Sequence, residues 1–176
     1  MNERKNLYSG SKIHTPQTLT EMISAERVQG RKIVLTNGCF DLLHKGHIIF
    51  LEGAKQQGDF LIVAINSDES VQRFKGPTRP INTLEDRMAV LAAVAAVDAV
   101  MPFDEDTGAA VLEIIRPDVY VKGADYSLER IKTSEEGMLA EKYGIKIYLV
   151  PVEEGHPTTT SLISKVIEVH GKLNQE

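Results

Sequence analysis

The sequence contains one cysteine, Cys39, and no tryptophan. A single thiol excludes an intrachain disulfide and is typical of a protein in a reducing compartment. No group of cysteine and histidine residues has the spacing of a zinc site. The sequence therefore offers neither a disulfide framework nor a zinc site.

The chain also lacks a net positive charge and long apolar runs. The formal net charge is −5, so the chain has no general affinity for nucleic acid or for an anionic membrane surface. No apolar run approaches the ~20 residues that span a bilayer, and the first twelve residues are polar rather than signal-like. We expect a cytoplasmic protein that binds neither nucleic acid nor membrane.

The composition that remains is that of a globular domain. With 176 residues, of which 42% are hydrophobic and 26% charged, the chain is long enough to bury one core. Residues 1–13 are polar and aperiodic, so they are predicted to be a flexible N-terminus. Residues 14–176 are predicted to form a single domain.

Short apolar runs alternate with helical patterns along the chain. A first helix is predicted to start at Thr15 and Pro16 and to end at Gly30. Strands are predicted over residues 32–36, 60–66, 99–102, 119–122 and 146–150. Helices are predicted over residues 46–57, 83–95, 107–115, 134–143 and 160–169. Apolar strands separated by helices indicate a doubly wound α/β fold with a five-stranded parallel sheet, which binds ligands beyond the carboxyl ends of its strands.

The turn after the first predicted strand has the composition of a phosphate site. It contains Gly38 and Gly46, which allow a close backbone approach, and it leads into a helix whose amino end favours an anion. His44 and His47 are three residues apart and share one face of this helix. Their imidazoles can donate hydrogen bonds to phosphate oxygens, although a capping or packing role for one of them is the alternative.

The motifs along the chain resemble those of one enzyme superfamily. Residues 37–47 contain His44, Gly46 and His47 and resemble the HxGH signature of the nucleotidyltransferases. Further blocks follow in order at residues 65–70, 73–82, 85–98, 121–126 and 158–163. Together, over roughly residues 32–165, they resemble the heptose 1-phosphate adenylyltransferase branch, the ADP-heptose synthases. The resemblance implies a Rossmann-like nucleotidyltransferase fold.

The same resemblance implies a reaction. AMP would pass from ATP to D-glycero-β-D-manno-heptose 1-phosphate, giving ADP-heptose and pyrophosphate for the lipopolysaccharide core or related glycans. The attacking phosphate oxygen is already anionic, so catalysis would consist of positioning and charge stabilisation. Mg²⁺ would bridge phosphate oxygens and take few protein ligands. The resemblance also implies a homodimer, and a separate kinase that supplies the heptose 1-phosphate.

Three residues are assigned to catalysis through the resemblance. His44 and His47 would stabilise the triphosphate as charge builds up at the α-phosphorus. Lys75 starts a loop at residues 75–80 that is rich in turn formers and would close on the phosphates. Without the resemblance, Lys75 would be interpreted as a solvated surface lysine.

The residues assigned to the nucleotide come from several segments. Asp41 is either a loop-fixing acceptor for backbone N–H groups, which is slightly favoured, or a contact to nucleotide or metal. Phe40 is expected to pack under the loop. Asp125 is either a nucleotide contact or the cap of a glycine turn. The hydroxyl-rich segment before the last helix suits both capping and anion binding. The nucleotide-binding set is Thr36, Asn37, Gly38, Cys39, Phe40, Asp41, Gly46, Lys122, Gly123, Asp125, Thr158, Thr159, Thr160 and Ser161.

Four residues are assigned to the acceptor substrate. Asn66 and Asp68 follow the second strand, where a sugar contact and a helix-capping turn are equally good interpretations. Arg79 lies in the loop at residues 75–80. Arg87 lies in the first turns of a helix, where the dipole disfavours a cation, so a substrate phosphate or a buried ion pair would explain it.

Several alternatives remain. The chain is either this enzyme, a nucleotidyltransferase for another sugar or polyol phosphate (the GDP-heptose or glycerol-phosphate type), or a non-catalytic nucleotide-sensing module. Glycerol-phosphate cytidylyltransferases have an Arg-Thr pair just before the last threonine-rich block. This sequence has Val152, Glu153 and Glu154 there instead, which argues against that type. A flavodoxin-like domain is disfavoured because the first turn lacks a hydroxyl-rich loop and aromatic residues make up only 6%. The choice of base stays open.

Overall fold

A computed structural model describes residues 12–123, 126–151 and 158–173, and the side chains of these ranges as far as residue 170. The strands are β1 Ile33–Gly38, β2 Phe60–Asn66, β3 Ala99–Phe103, β4 Val119–Gly123 and β5 Lys146–Val150. The helices are α1 Pro16–Val28, α2 Lys45–Lys55, α3 Asp68–Lys75, α4 Leu84–Ala92, α5 Ala109–Ile115, α6 Leu128–Lys132, α7 Glu135–Tyr143 and α8 Thr159–Leu173.

All five strands lie parallel in one sheet, in the order β3-β2-β1-β4-β5. The predicted doubly wound, five-stranded parallel sheet is therefore confirmed. The central strands are apolar throughout because helices cover both faces, and all seven residues of β2 are buried. The order reverses at β1: the chain runs outward to β2 and β3, and then crosses back to β4 and β5.

Successive side chains of β1 point to opposite faces of the sheet, and each face has its own core. Ile33 and Leu35 pack with residues of α1, α5 and α7. Val34 packs on the other face with residues of α2 and α4. The same alternation continues to the end of β1: Thr36 points to the face of Val34, and Asn37 points to the face of Ile33 and Leu35.

The amino ends of the strands are held by carboxylates. Asp118 Oδ2 accepts a hydrogen bond from Ile33 N at 2.7 Å, and Asp98 Oδ2 accepts one from Leu61 N at 2.7 Å. Buried N–H groups at strand ends need such acceptors. These aspartates lie at the amino ends of the strands, whereas the predicted ligand site is at the carboxyl ends. Their role is therefore to stabilise the fold.

Helix α1 forms as predicted, with Pro16 at its first position and Thr15 as its N-cap. Before it, Ile13 pairs with Val100 of β3, and Lys12 Nζ donates to Val97 O at 2.7 Å. The predicted flexible N-terminus lies, apart from residues 12 and 13, outside the described residues. Among the described helices, none has the length and apolar character that crossing a membrane requires.

Two helices, α3 and α6, were not predicted. Helix α3 is polar overall and buries only Ser70 and Val71, so few apolar residues mark it in the sequence, and α6 has only five residues. A consequence is a correction for Lys75: it is the last residue of α3 rather than the first residue of a loop. Helix α4 also ends at Ala92, before the predicted residue 95.

Candidate active site

The carboxyl ends of β1 and β4 border a cleft at the point where the strand order reverses. The two strands pair from Val34 and Val119 as far as Thr36 and Val121. Beyond that pair they separate and leave a cleft of about 540 Å³. In doubly wound sheets this is the position at which ligands bind.

The cleft gathers most of the sequence-predicted residues from five separate segments. Those that line it are Asn37, Gly38, Cys39, Phe40, Asp41, His47, Asn66, Lys75, Lys122, Gly123 and Thr159. The predicted residues that lie beside or behind its lining are Thr36, His44, Gly46, Asp68, Arg79, Arg87, Thr158, Thr160 and Ser161. Asp125 lies outside the described residues.

The two histidines form a stack at the amino end of α2. Their ring centroids are 3.9 Å apart, and the His47 ring also packs against Phe40 at 5.4 Å. His44 is the N-cap residue of α2, but its side chain makes no capping hydrogen bond. Capping therefore does not explain the His44 side chain. Phe40 is buried under the turn, as predicted.

The electrostatic environment keeps His47 neutral. Burial, the neighbouring His44 and the ammonium group of Lys75 lower the pKa of His47 to about 4, while a hydrogen bond with the Leu42 backbone opposes them. At pH 7 its imidazole is therefore uncharged. A bound polyanion would offset the positive potential of Lys75, so it would raise this pKa.

Cys39 lies beside Lys75 on the cleft wall. Burial raises the pKa of the Cys39 thiol, and this outweighs the opposite effect of the Lys75 and Arg87 cations. The thiol is therefore protonated near neutral pH. A protonated thiol is a poor nucleophile, which agrees with a site that does not use covalent catalysis by cysteine.

Asp41 fixes the loop that follows β1. Its carboxylate accepts hydrogen bonds from Ile81 N at 2.8 Å, from Asn82 N at 3.1 Å and from Arg79 Nε at 2.6 Å. Burial raises the pKa of Asp41. The backbone donor of Asn82 and the Arg79 guanidinium together lower this pKa by more than burial raises it, so the net shift is downward. The loop-fixing interpretation describes this side chain, and Arg79 is its partner.

Arg87 is buried and forms an ion pair with the half-buried Asp68. Its side chain has no exposed surface, and Nη2 lies 2.6 Å from Asp68 Oδ1. Nη1 donates to Cys39 O at 2.7 Å, and Nε donates to Asn82 O at 3.2 Å. Of the two interpretations open for Arg87, the structure shows the buried pair. Asp68 and Arg87 thus hold the cleft wall from behind instead of forming its surface.

The starts of α3 and α8 combine capping with a place at the cleft. Ser67 Oγ accepts from Ser70 N at 3.0 Å, while the neighbouring Asn66 faces the cleft. At the start of α8, Thr158 and Ser161 cap each other through reciprocal bonds of 2.9 and 3.1 Å, and only Thr159 of this block lines the cleft.

Sequence reasoning missed six residues of the lining: Phe50, Phe74, Asp106, Thr107, Tyr126 and Glu136. Asp106 and Thr107 follow the carboxyl end of β3, so the rule that places ligands at strand ends was a usable signal. Glu136 lies in the first turn of α7 and carried no such signal. Among them, Asp106 and Glu136 add carboxylates to a lining that also holds His47 and Lys75.

The sheet order, the cleft at the reversal point and the histidine pair at a helix amino end define a nucleotidyltransferase. Residues 35–166 match the family model described as cytidylyltransferase-like. The chain therefore belongs to the cytidylyltransferase-like family.

Relatives named "Bifunctional protein HldE" share much of the sequence. The chain is 44% identical to the one from Trichlorobacter lovleyi over 160 residues, which are 91% of this chain and 32% of that protein. It is 48% identical to the one from Haemophilus influenzae over 158 residues, 90% of this chain and 32% of that protein. The chain thus spans about a third of the length of these relatives.

Solved structures show the same fold. A lipopolysaccharide core biosynthesis protein from Thermoplasma volcanium has a TM-score of 0.57 and 28% identity, over 70% of this chain and 98% of that one. A pantoate-beta-alanine ligase from Francisella tularensis, complexed with beta-gamma ATP and beta-alanine, has a TM-score of 0.59. Its identity is 18%, over 93% of this chain and 78% of that one, so it supports the fold alone.

Proposed function

We propose that the protein transfers AMP from ATP to D-glycero-β-D-manno-heptose 1-phosphate and releases pyrophosphate and ADP-heptose. The observation that carries the reaction type is the stacked His44–His47 pair at the amino end of α2, with His47 and Lys75 both lining the cleft. The acceptor is inferred from the order of the sequence motifs and from the similarity to the HldE relatives. The product would serve the lipopolysaccharide core or a related glycan.

The cleft suits in-line attack by a phosphate oxygen of the sugar on the α-phosphorus of ATP. The oxygen–phosphorus bond to the sugar phosphate forms while the bond to pyrophosphate breaks, and the attacking oxygen needs no base because it is already anionic. His44, His47 and Lys75 would stabilise the charge on the phosphates, together with the first N–H groups of α2. Behind the lining, the buried Thr36 Oγ1 has no hydrogen-bond partner among the described residues.

A divalent cation fits this cleft through the phosphates. Within the described ranges, no three His, Cys, Asp or Glu side chains are grouped to hold a metal ion. Mg²⁺ commonly keeps several waters and binds substrate phosphates, with one or two carboxylates at most. We propose that Mg²⁺ enters with ATP, with Asp106 as the carboxylate on the cleft wall that could bond its waters. It would neutralise phosphate charge.

We propose a structural role for three residues that the sequence analysis assigned to the acceptor substrate: Asp68, Arg79 and Arg87. Each holds the loop after β1 or its neighbours from behind the cleft wall. Asn66 and Thr159 remain proposed contacts for the bound substrates. A cytoplasmic location and a homodimer are proposed as well, and light scattering that gives the mass of a single chain would refute the dimer.

The experiment that tests the function measures pyrophosphate release with Mg²⁺, using heptose 1-phosphate as separate α and β anomers and ATP, GTP or CTP. We expect turnover with ATP and the β anomer. Turnover with GTP and the α anomer would instead indicate the GDP-heptose type of enzyme. Nucleotide binding without turnover on any sugar phosphate would overturn the proposal and favour a nucleotide sensor.

A further inference from the structure

Asn37 lies where β1 and β4 separate, and its side-chain oxygen receives two hydrogen bonds. Tyr120 Oη donates to Asn37 Oδ1 at 2.6 Å, and Lys122 Nζ donates to the same oxygen at 2.7 Å. An ammonium group can only donate, so the amide must turn its oxygen rather than its nitrogen toward Lys122. Two donors from β4 therefore fix the orientation of the Asn37 amide.

Tyr120 is a rigid donor because it belongs to the core. Its side chain is fully buried and packs with residues of α1, α5 and α7. Burial raises the pKa of its hydroxyl far above the ordinary value, so the proton that bonds Asn37 is always present. The contact is close: a Cβ at Gly108 would lie 2.8 Å from Tyr120 Oη and 3.1 Å from Asn37 Nδ2. Glycine at position 108 leaves room for both groups.

The nitrogen end of the Asn37 amide remains for a ligand. Asn37 lines the cleft and is half-buried, and none of the residues that the structure describes accepts a hydrogen bond from its Nδ2. Its two N–H groups need an acceptor once water leaves the cleft. A bound substrate oxygen would supply that acceptor.

The surrounding wall indicates which substrate oxygen this is. Asn37 points to the face of the sheet that carries α5 and α7, beside Thr107 and Glu136, and Glu136 Oε1 accepts from Gly108 N at 3.2 Å. Carboxylates repel phosphate groups but accept hydrogen bonds from hydroxyls. The phosphates belong at the opposite wall, beside His47, and the hydroxyls of the sugar belong at this one.

We propose that Tyr120 is a positioning residue for the acceptor sugar. Through its bond to Asn37, it directs the Nδ2 hydrogens of that amide at a hydroxyl oxygen of the sugar 1-phosphate. The inference rests on the proposed function, because it takes the acceptor to be a sugar 1-phosphate. It adds a residue that lies wholly in the core and never touches the substrate.

Two variants test this arrangement. Tyr120→Phe removes only the hydroxyl, and we expect the KM for the sugar 1-phosphate to rise about threefold to tenfold, the worth of one hydrogen bond. Asn37→Asp keeps the acceptor for Tyr120 and Lys122 but replaces the donors with a carboxylate oxygen, so its KM should rise by about tenfold or more. The KM for ATP should stay within about twofold in both variants.

The matched control is Tyr143→Phe, which removes a hydroxyl bonded to Glu113 on the surface. It should change neither KM. Thermal melting shows that each variant is folded, and a merely destabilised variant would lower the active fraction without separating the two KM values. Asn37→Asp keeps the test open if Tyr120→Phe is too unstable to assay, because Asn37 is only half-buried.

The outcomes separate this inference from the proposed function. Turnover by the wild type with unchanged KM values in both variants would overturn the inference and leave the function standing. A rise in the KM for ATP, alone or equal to that for the sugar, would overturn the assignment of Asn37 to the sugar. Absence of wild-type turnover and of sugar-phosphate binding would overturn the function and the sugar assignment together.

Discussion

The pKa of the His47 imidazole depends on the charges that surround it in the cleft. The imidazole is neutral at pH 7 because burial, His44 and Lys75 all lower its pKa, to about 4. In the proposed function, a bound triphosphate would bring negative charge into the cleft and so favour a protonated imidazole. The electrostatic environment that disfavours a charged His47 in the free protein would thus suit the negative charge of the proposed substrate.

Replacement of His47 tests its role in stabilising the phosphates. We expect His47→Gln to lower kcat by about a hundredfold, the usual effect of removing one donor that faces developing charge. The assay is pyrophosphate release, and His170→Gln, on the exposed face of α8, is the control that should retain full activity. A loss smaller than about threefold would remove His47 from the catalytic set.

The lowered pKa of His47 also predicts how stability depends on pH. The ordinary pKa is 6.5 and the folded value is about 4, so as the pH falls the unfolded chain binds the proton first. The contribution of His47 is complete above pH 6.5 and is lost as the pH falls toward 4. Urea unfolding at pH 7.5 and pH 4.5 should show a larger loss of stability for the wild type than for His47→Gln. Equal losses would contradict the low pKa.

At the scale of elements, buried side chains hold the loops of the site together. Arg87 of α4 joins the start of α3, through Asp68, to the loop after β1, through the carbonyl of Cys39. Asp41 joins that same loop to residues 79–82. The turn that bears the histidines is thus fixed by contacts with two other segments, which reduces the freedom it must lose on binding a substrate.

Removal of the buried guanidinium should therefore destabilise the protein. We expect Arg87→Met to lower the free energy of unfolding by about 3 kcal/mol, because three hydrogen bonds are lost and Asp68 is left without its partner. Urea unfolding measures this change. Arg73→Met, which breaks exposed ion pairs with Asp104 and Asp106, is the control and should have little effect. Equal stability of the two variants would contradict the role given to Arg87.

At the scale of the whole molecule, the cleft connects elements from both faces of the sheet. The histidines belong to the face covered by α2 and α4, whereas Asn37 and Glu136 belong to the face covered by α5 and α7. A substrate in the cleft contacts both faces at the point where β1 and β4 separate. Binding should therefore stabilise the entire fold rather than one loop.

Thermal unfolding in the presence of nucleotide measures this effect. ATP with Mg²⁺ at one hundred times its dissociation constant should stabilise the folded chain by about 2.7 kcal/mol and raise Tm by roughly 5–10 °C. Sodium sulfate at the same ionic strength is the control for nonspecific anion effects. An equal rise with sulfate, or no rise with ATP, would contradict specific binding of the nucleotide in this cleft.

Much of the architecture was predictable because it depends on local patterns. Apolar runs with helical segments between them predicted the five parallel strands. The strand-turn-helix at residues 33–47, for which a phosphate site was predicted, does border the cleft. The helices α3 and α6 escaped prediction because one is polar and the other is short. The bounds of α4 were overextended because a run of alanine and valine continues past the point where the helix ends.

The sequence by itself determined the fold class, the family and the position of the histidine pair, because these follow from periodicity and from residues that are close along the chain. Only the tertiary structure decided that Arg87 is buried against Asp68 and that Asp41 fixes a loop. It also decided that Tyr120 reaches Asn37, 83 positions away. Such contacts depend on how the strands and helices pack, and packing brings together side chains whose separation in the sequence carries no pattern.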